Sequence, residues 1–302
     1  MRGRSVTGAM LPSGVLRPGV HDLRIVRVPK GGDDAGARLA HALTRGLWID
    51  DATVLKDTPG ATVFDATLAG TPVVIKTMRL DGLADRVRAD AGLSRLMRQW
   101  RGAQLLEKSG VRTAAPLVMC RGFGEDGAIV ETLVIERIEG RSLLEHLRDR
   151  DLTDDEVRAL TESMAVDLEA MWVRAFNRDH KPSNLIVERT DTGVRAAVVD
   201  TVGVRRLRGL GAGSNAKLAR MLASLWIEAV GVGCPPSVRE AYRLVCRVCD
   251  APTPKGGRKP GWSRRRSYGF ARTMWALASD IVHAHGDPTP RDSPFPDRHG
   301  GA

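Results

Sequence analysis

Apolar and polar positions follow two different periods along this chain. Three short runs near the front carry strand patterning: Ala52–Lys56, Ala61–Leu68 and Val73–Met78. Asp57-Thr58-Pro59-Gly60 and Ala69-Gly70-Thr71-Pro72 separate them as turns. In the third run a period of two puts Val74 and Lys76 on one face, and Val73 and Ile75 on the other. Val118–Cys120 and Glu131–Glu136 complete a five-stranded sheet. His21–Val28 also alternates and reads as one strand in an otherwise loose arm. A period of 3.6 marks the helices. Ala35–Gly46 is short. Leu83–Ser109 reads as a single long basic helix, with Leu93, Leu96, Met97, Trp100, Ala103, Gln104 and Leu106 marking much of its apolar face, ended by Gly110. Asp154–Arg174 turns Val157, Leu160, Met164, Leu168 and Met171 inward, with Thr153 or Asp154 as its cap. Ser214–Val230, Pro235–Cys249 and Ser267–Ala284 follow. Between them, residues 251–266 are rich in Pro, Gly, Lys and Arg and read as a basic linker. His285–Ala302 is Pro/Gly-rich and is expected to be disordered.

Composition narrows the class. A chain of 302 residues, 42% hydrophobic and 27% charged, can bury one large core or two smaller ones. No apolar run is long enough to cross a bilayer, and residues 1–18 lack the apolar stretch of a signal peptide. The expected location is cytoplasmic. Lys+Arg minus Asp+Glu, 46 − 36 = +10, favours polyanionic partners. The basic run Lys255, Arg258, Lys259 and Arg264–Arg266 adds an expected peripheral contact with anionic membrane. Nucleic acid is the lesser reading of the same charge. The four cysteines, Cys120, Cys234, Cys246 and Cys249, lack the further ligand pair that a zinc site needs and read as reduced thiols.

The candidate chemistry sits in Phe176-Asn-Arg-Asp-His-Lys-Pro-Ser-Asn184, followed by the strand-like Leu185–Val187 and Ala196–Val199 and then Asp200-Thr-Val-Gly203. A loop, strand, turn and strand would bring Asp200 back beside Asn184. Two hard oxygen ligands could then hold magnesium, with Asp179 left as a base, an arrangement suited to phosphoryl transfer.

Asn177-Arg-Asp-His-Lys-Pro-Ser-Asn184 resembles the catalytic loop of the protein-kinase-like superfamily, and Asp200-Thr-Val-Gly203 its metal-binding loop. Asn177 stands where the family has histidine, and Thr201 where it has phenylalanine. Val73-Val-Ile-Lys76 is similar to the strand whose lysine holds the nucleotide phosphates. The resemblance implies an α+β, two-lobed kinase-like fold: residues 1–30 an arm, 31–137 the nucleotide-binding lobe, 138–250 a helical lobe, 251–302 linker and tail. It implies ATP and Mg2+ as cofactors. Asp179 would be the base, Lys181 the stabiliser of the moving phosphoryl group, and Asn184 and Asp200 the metal ligands. Lys76, Gly60 and Val63 would contact the nucleotide, with the backbone of Glu136 and Ile138 reading the adenine edge. Gln99 replaces the helix glutamate that pairs with the lysine in the family; Asp90 and Glu107 are the neighbouring acids.

Arg98-Gln-Trp100, Leu106–Thr113 and Arg239-Glu-Ala-Tyr242 narrow the resemblance to the bacterial lipopolysaccharide kinases, over about residues 50–250. That implies phosphorylation of a sugar hydroxyl on the lipopolysaccharide core, at the inner face of the cytoplasmic membrane. Lys181 is typical of Ser/Thr protein kinases and keeps a protein or small-alcohol acceptor open. Gln99 and the single glycine at position 60 keep open a pseudokinase acting as a nucleotide-binding regulatory module.

Overall fold

A computed structural model describes residues 21–29, 32–46, 48–49, 51–124, 126–191, 193–207, 212–250 and 264–284. The first part of the arm, most of the basic linker and the tail lie outside the described residues. In chain order the elements are β1 (His21–Arg27), α1 (Asp33–Arg45), β2 (Thr53–Thr58), β3 (Ala61–Leu68), β4 (Thr71–Arg79), α2 (Leu83–Asp90), α3 (Arg95–Lys108), β5 (Pro116–Phe123), β6 (Ile129–Glu136) and β7 (Arg141–Ser142). They continue with α4 (Leu143–Asp149), α5 (Asp154–Arg174), β8 (Ala175–Asn177), β9 (Leu185–Thr190), β10 (Gly193–Val198), β11 (Val204–Arg206), α6 (Ala212–Gly231), α7 (Val238–Asp250) and α8 (Arg264–Ala284). The chain divides into two compact units, Met1–Leu96 with Pro116–Arg137, and Met97–Ala115 with Ile138–Ala302. An antiparallel sheet in the first and helices in the second make the α+β architecture that the sequence implies.

The first unit is built on one sheet of order β1-β5-β6-β4-β3-β2. It has six strands rather than five, because β1 adds itself antiparallel along the outer edge of β5. The period-two pattern decides its faces. Phe64, Ala66, Val73, Ile75, Val118, Cys120 and Val134 are buried against Leu39, Ala40 and Leu43 of α1. Trp48 meets Phe64 edge to face at 5.4 Å. Burial of each large side chain is worth roughly 1.5–3 kcal/mol. Lys76 lies on the opposite face, in register with Val63 and Leu133.

The predicted long helix is two helices. After α2 the chain turns at Ala91-Gly92, where the Leu93 amide donates to the Arg88 carbonyl at 2.6 Å. Leu93, read as part of the apolar face, is 54% exposed, because it lies in the break between the helices.

The second unit gathers Leu160, Met164, Leu168 and Met171 of α5 with Leu218, Leu222, Trp226, Val245, Val248, Met274 and Trp275 in one core. Thr153 is the cap of α5: its hydroxyl accepts from the Glu156 amide, and the Glu156 carboxylate accepts from the Thr153 amide. All four cysteines are free thiols, and burial pushes that of Cys120 up to about 12. Among the described residues no helix is long and apolar enough to cross a membrane.

Candidate active site

Helix α5 hands the chain directly to the loop that carries Asp179. Its C-cap, Ala175, is already extended. Strand β8 then pairs antiparallel with β11, placing Asn177 opposite Val204 and Ala175 opposite Arg206. The Arg178 amide donates to the Gly203 carbonyl at 3.3 Å. Residues 178–184 and 200–203 therefore leave the same end of one ribbon. The β9–β10 hairpin closes the return path: Leu185 lies opposite Val198, and the Val199 amide donates to the Asn184 carbonyl at 3.0 Å. Asn184 and Asp200 emerge from neighbouring strand ends.

The loop is held by its own polar groups. Asn177 is fully buried, and its Oδ1 accepts from the Asp179 amide at 3.2 Å. The Asp179 carbonyl accepts from Asn184 Nδ2 at 2.9 Å and from the Lys181 amide at 3.0 Å. The backbone of Asp179 is thus fixed on both sides, while its carboxylate stays 38% exposed, with Arg178 Nε 3.3 Å from Oδ1. Because the Asn184 nitrogen is engaged, its oxygen is the end left to face a cation. Asp200 Oδ1 accepts from the Val202 amide at 3.1 Å. His180 is buried, and burial lowers its pKa to about 4, so the ring is neutral.

Two glycines permit this closeness. A Cβ on Gly203 would stand 2.6 Å from Asp179 Oδ2 and 3.0 Å from Asn177 Oδ1. A Cβ on Gly102 of α3 would run into the Thr201 carbonyl oxygen. Helix α3 therefore lies directly against the loop of Asp200, and two of the positions that depart from the kinase pattern, Gln99 and Thr201, join them. The Thr201 hydroxyl donates to the Gln99 carbonyl at 2.6 Å. Gln99 Nε2 donates to the Val199 carbonyl at 3.4 Å. These bonds bracket Asp200 on either side in sequence.

Glu228 of α6 is the participant that sequence reasoning missed. Its Oε1 is 2.9 Å from Lys181 Nζ. It accepts from the Ser183 hydroxyl and the Ser183 amide, each at 2.7 Å. Burial opposes ionisation of this carboxyl, but the Ser183 bonds and the Lys181 ammonium outweigh it, so its pKa is lowered. No local pattern announces a bond spanning 45 residues.

The remaining candidates lie as follows. In the first unit Gly60 sits at the β2–β3 turn, Val63 beside Lys76 in the sheet, and Glu136 opposite Val73 at the end of β6. Ile138 is a buried residue of the second unit. Asp90 bonds Arg121 at 2.6 Å, and Arg121 bonds the buried Glu131 at 2.8 Å. Glu107 is exposed on α3.

Compared with known proteins, the sequence matches no family model and no curated protein. Among solved structures, this chain is similar to WaaP in complex with acyl carrier protein. The two are 16% identical, with a TM-score of 0.49, over 76% of this chain and 88% of that one. At that identity and score no residue role or activity is carried across from it.

Proposed function

We propose that this protein is an ATP-dependent phosphotransferase that moves the γ-phosphoryl group to an alcohol, with a sugar hydroxyl of the lipopolysaccharide core as the acceptor. The observation that carries this reading is the meeting of Asp179, Asn184 and Asp200 through two antiparallel ribbons, β8–β11 and β9–β10. The donor set fits magnesium. Asn184 and Asp200 offer the hard oxygens that magnesium prefers. A cation bound there would share its remaining positions with phosphate oxygens and water, the usual habit of magnesium. Such an ion supplies neutralisation of charge on the phosphates.

The residues of the chain do the rest by position and electrostatics. Asp179, its backbone pinned by Asn177 and Asn184, accepts or orients the proton of the acceptor hydroxyl. Lys181 stabilises charge on the moving group, and Glu228 fixes where its ammonium stands. Lys76 holds the nucleotide phosphates. Its role, like those of Gly60, Val63, Glu136 and Ile138, is taken from the resemblance. The acceptor places the protein at the inner face of the cytoplasmic membrane. A radiolabelled-ATP assay across lipopolysaccharide core, protein and small alcohols tests the reading. Label should enter the core with wild type and be lost with Asp179→Ala. Label entering only protein or a small alcohol would move the acceptor while keeping the enzyme.

A second reading is a nucleotide-binding module without turnover. It is favoured by Gln99, whose amide is engaged with the Val199 carbonyl, and by Asp90, whose carboxylate is engaged with Arg121. Magnesium-dependent ATP binding with no turnover on any acceptor would select it.

A further inference from the structure

A concavity of the helical unit carries a charge pattern that the proposed reaction does not use. It has a volume of about 620 Å3 and lies between α3, the end of α5 and β11. Arg101, Lys108, Arg174 and Arg206 line it, with Gln104 and Ser109 among the polar neighbours, and among the described residues no carboxylate is part of the lining. All four cations are exposed.

Several cations elsewhere in this unit meet acids. Arg112 and Arg195 share Glu188, Arg141 takes Asp149 and Asp151, Arg189 takes Glu156, and Arg247 takes Glu162. Two of the four pocket cations have a structural explanation. Lys108 and Arg174 stand in the last turns of α3 and α5, where a cation answers the helix dipole. Arg174 Nη1 also donates to the Lys108 carbonyl at 3.1 Å. Arg101, in the middle of α3, and Arg206, on a strand, have no such reason to be there. Like charges gathered round one concavity raise its potential and draw in an anion.

We propose that this pocket binds a phosphate monoester. Guanidinium groups match the oxygens of a phosphate in paired hydrogen bonds, and several around a concave site suit a dianion better than a carboxylate. The site is separate from the candidate active site. Arg206 pairs with Ala175, at the end of β8 remote from Asp179, roughly 10 Å along the strand. The group could be borne by a soluble phosphosugar or by a lipid headgroup, and the chemistry recognised is the same. The inference deepens the proposed function by giving its acceptor, or the membrane that carries it, a phosphorylated handle. Binding itself does not require that function.

The test uses the full chain. Glucose 1-phosphate, glucose, and vesicles of phosphatidylcholine with or without phosphatidic acid are titrated against wild type, Arg101→Gln/Arg206→Gln and Asp179→Asn. The expected result is saturable, salt-sensitive binding of the monoester but not of glucose. The double variant, both of whose sites are exposed, weakens it about tenfold, and circular dichroism confirms its fold. Asp179→Asn leaves it unchanged. Binding of phosphatidic acid vesicles alone, lost in the double variant, supports the site with a lipid headgroup as the source. Equal binding by wild type and double variant overturns the proposal, as does binding lost in Asp179→Asn, which would put the phosphate in the candidate active site. Failure of phosphotransfer with binding intact would sink the enzyme reading and leave this one standing.

Discussion

Asp179 owes its position to neighbours that touch no substrate. Its amide and carbonyl are taken up by Asn177 and Asn184, and its carboxylate lies against Gly203, where even one added carbon would collide at 2.6 Å. Gly203→Ala should therefore push the base aside. A displacement near 1 Å can cost about a hundredfold in rate, so we expect a loss of phosphotransfer of that order with ATP binding largely kept. Turnover and nucleotide titration on the same preparation check this, and unchanged turnover would show that the contact does not matter. Glu228→Gln probes the other side of the loop. It keeps one hydrogen-bond acceptor for Ser183 but removes the charge facing Lys181. We expect a stability loss of about 1–3 kcal/mol, read from urea unfolding, and slower turnover because the ammonium is no longer held. The catalytic and metal loops were legible in the sequence because their residues are close together in the chain. Glu228 was not, since it reaches Ser183 from a helix 45 residues away and nothing local marks it.

At the scale of elements, α5 aims the loop. It ends where β8 begins, so its start and its register matter to a site about 25 residues further on. A capping box closes that start. Thr153→Ala should cost about 1 kcal/mol, seen as a lower urea midpoint with an unchanged slope; a variant as stable as wild type would mean that the core alone fixes the helix. Helix α5 was readable because its apolar period and its cap agree. The long predicted helix was not readable as two, because Leu93 continues the apolar period through a turn where it faces solvent. Strands β8 and β11 left no signal either. Each has three residues, and Val204-Arg205-Arg206 has too little alternation to mark a strand. They form because β8 and β11 are held as a pair. Helix α3 shows the same limit: sequence gave Gln99 and Thr201 as two separate departures, and only packing against Gly102 reveals them as one joint.

For the molecule as a whole, a buried histidine and a half-buried aspartate set opposing responses to pH. His180 is neutral in the folded protein, with its pKa lowered from 6.5 to about 4 by burial. Between those values the unfolded chain binds the extra proton, so this histidine's contribution is complete above pH 6.5 and is lost as pH falls toward 4. Asp167 on α5 runs the other way. Burial raises its pKa from 3.8 to about 7, with Arg195 pulling it down. Its contribution is complete below pH 3.8 and is lost as pH rises through 7. Over most of the interval the two slopes oppose, and wild-type stability should change little between pH 5 and 6.5. Glu228 and Glu188, both with lowered pKa, add a loss only below about 4.5, where they begin to protonate. The cancellation can be taken apart. In His180→Gln the Asp167 slope stands alone, and stability should fall as pH rises from 5 to 6.5. In Asp167→Asn the histidine slope stands alone, and stability should rise over the same range. Urea midpoints at several pH values for the three proteins decide it: parallel curves would show that neither group titrates differently in the folded protein.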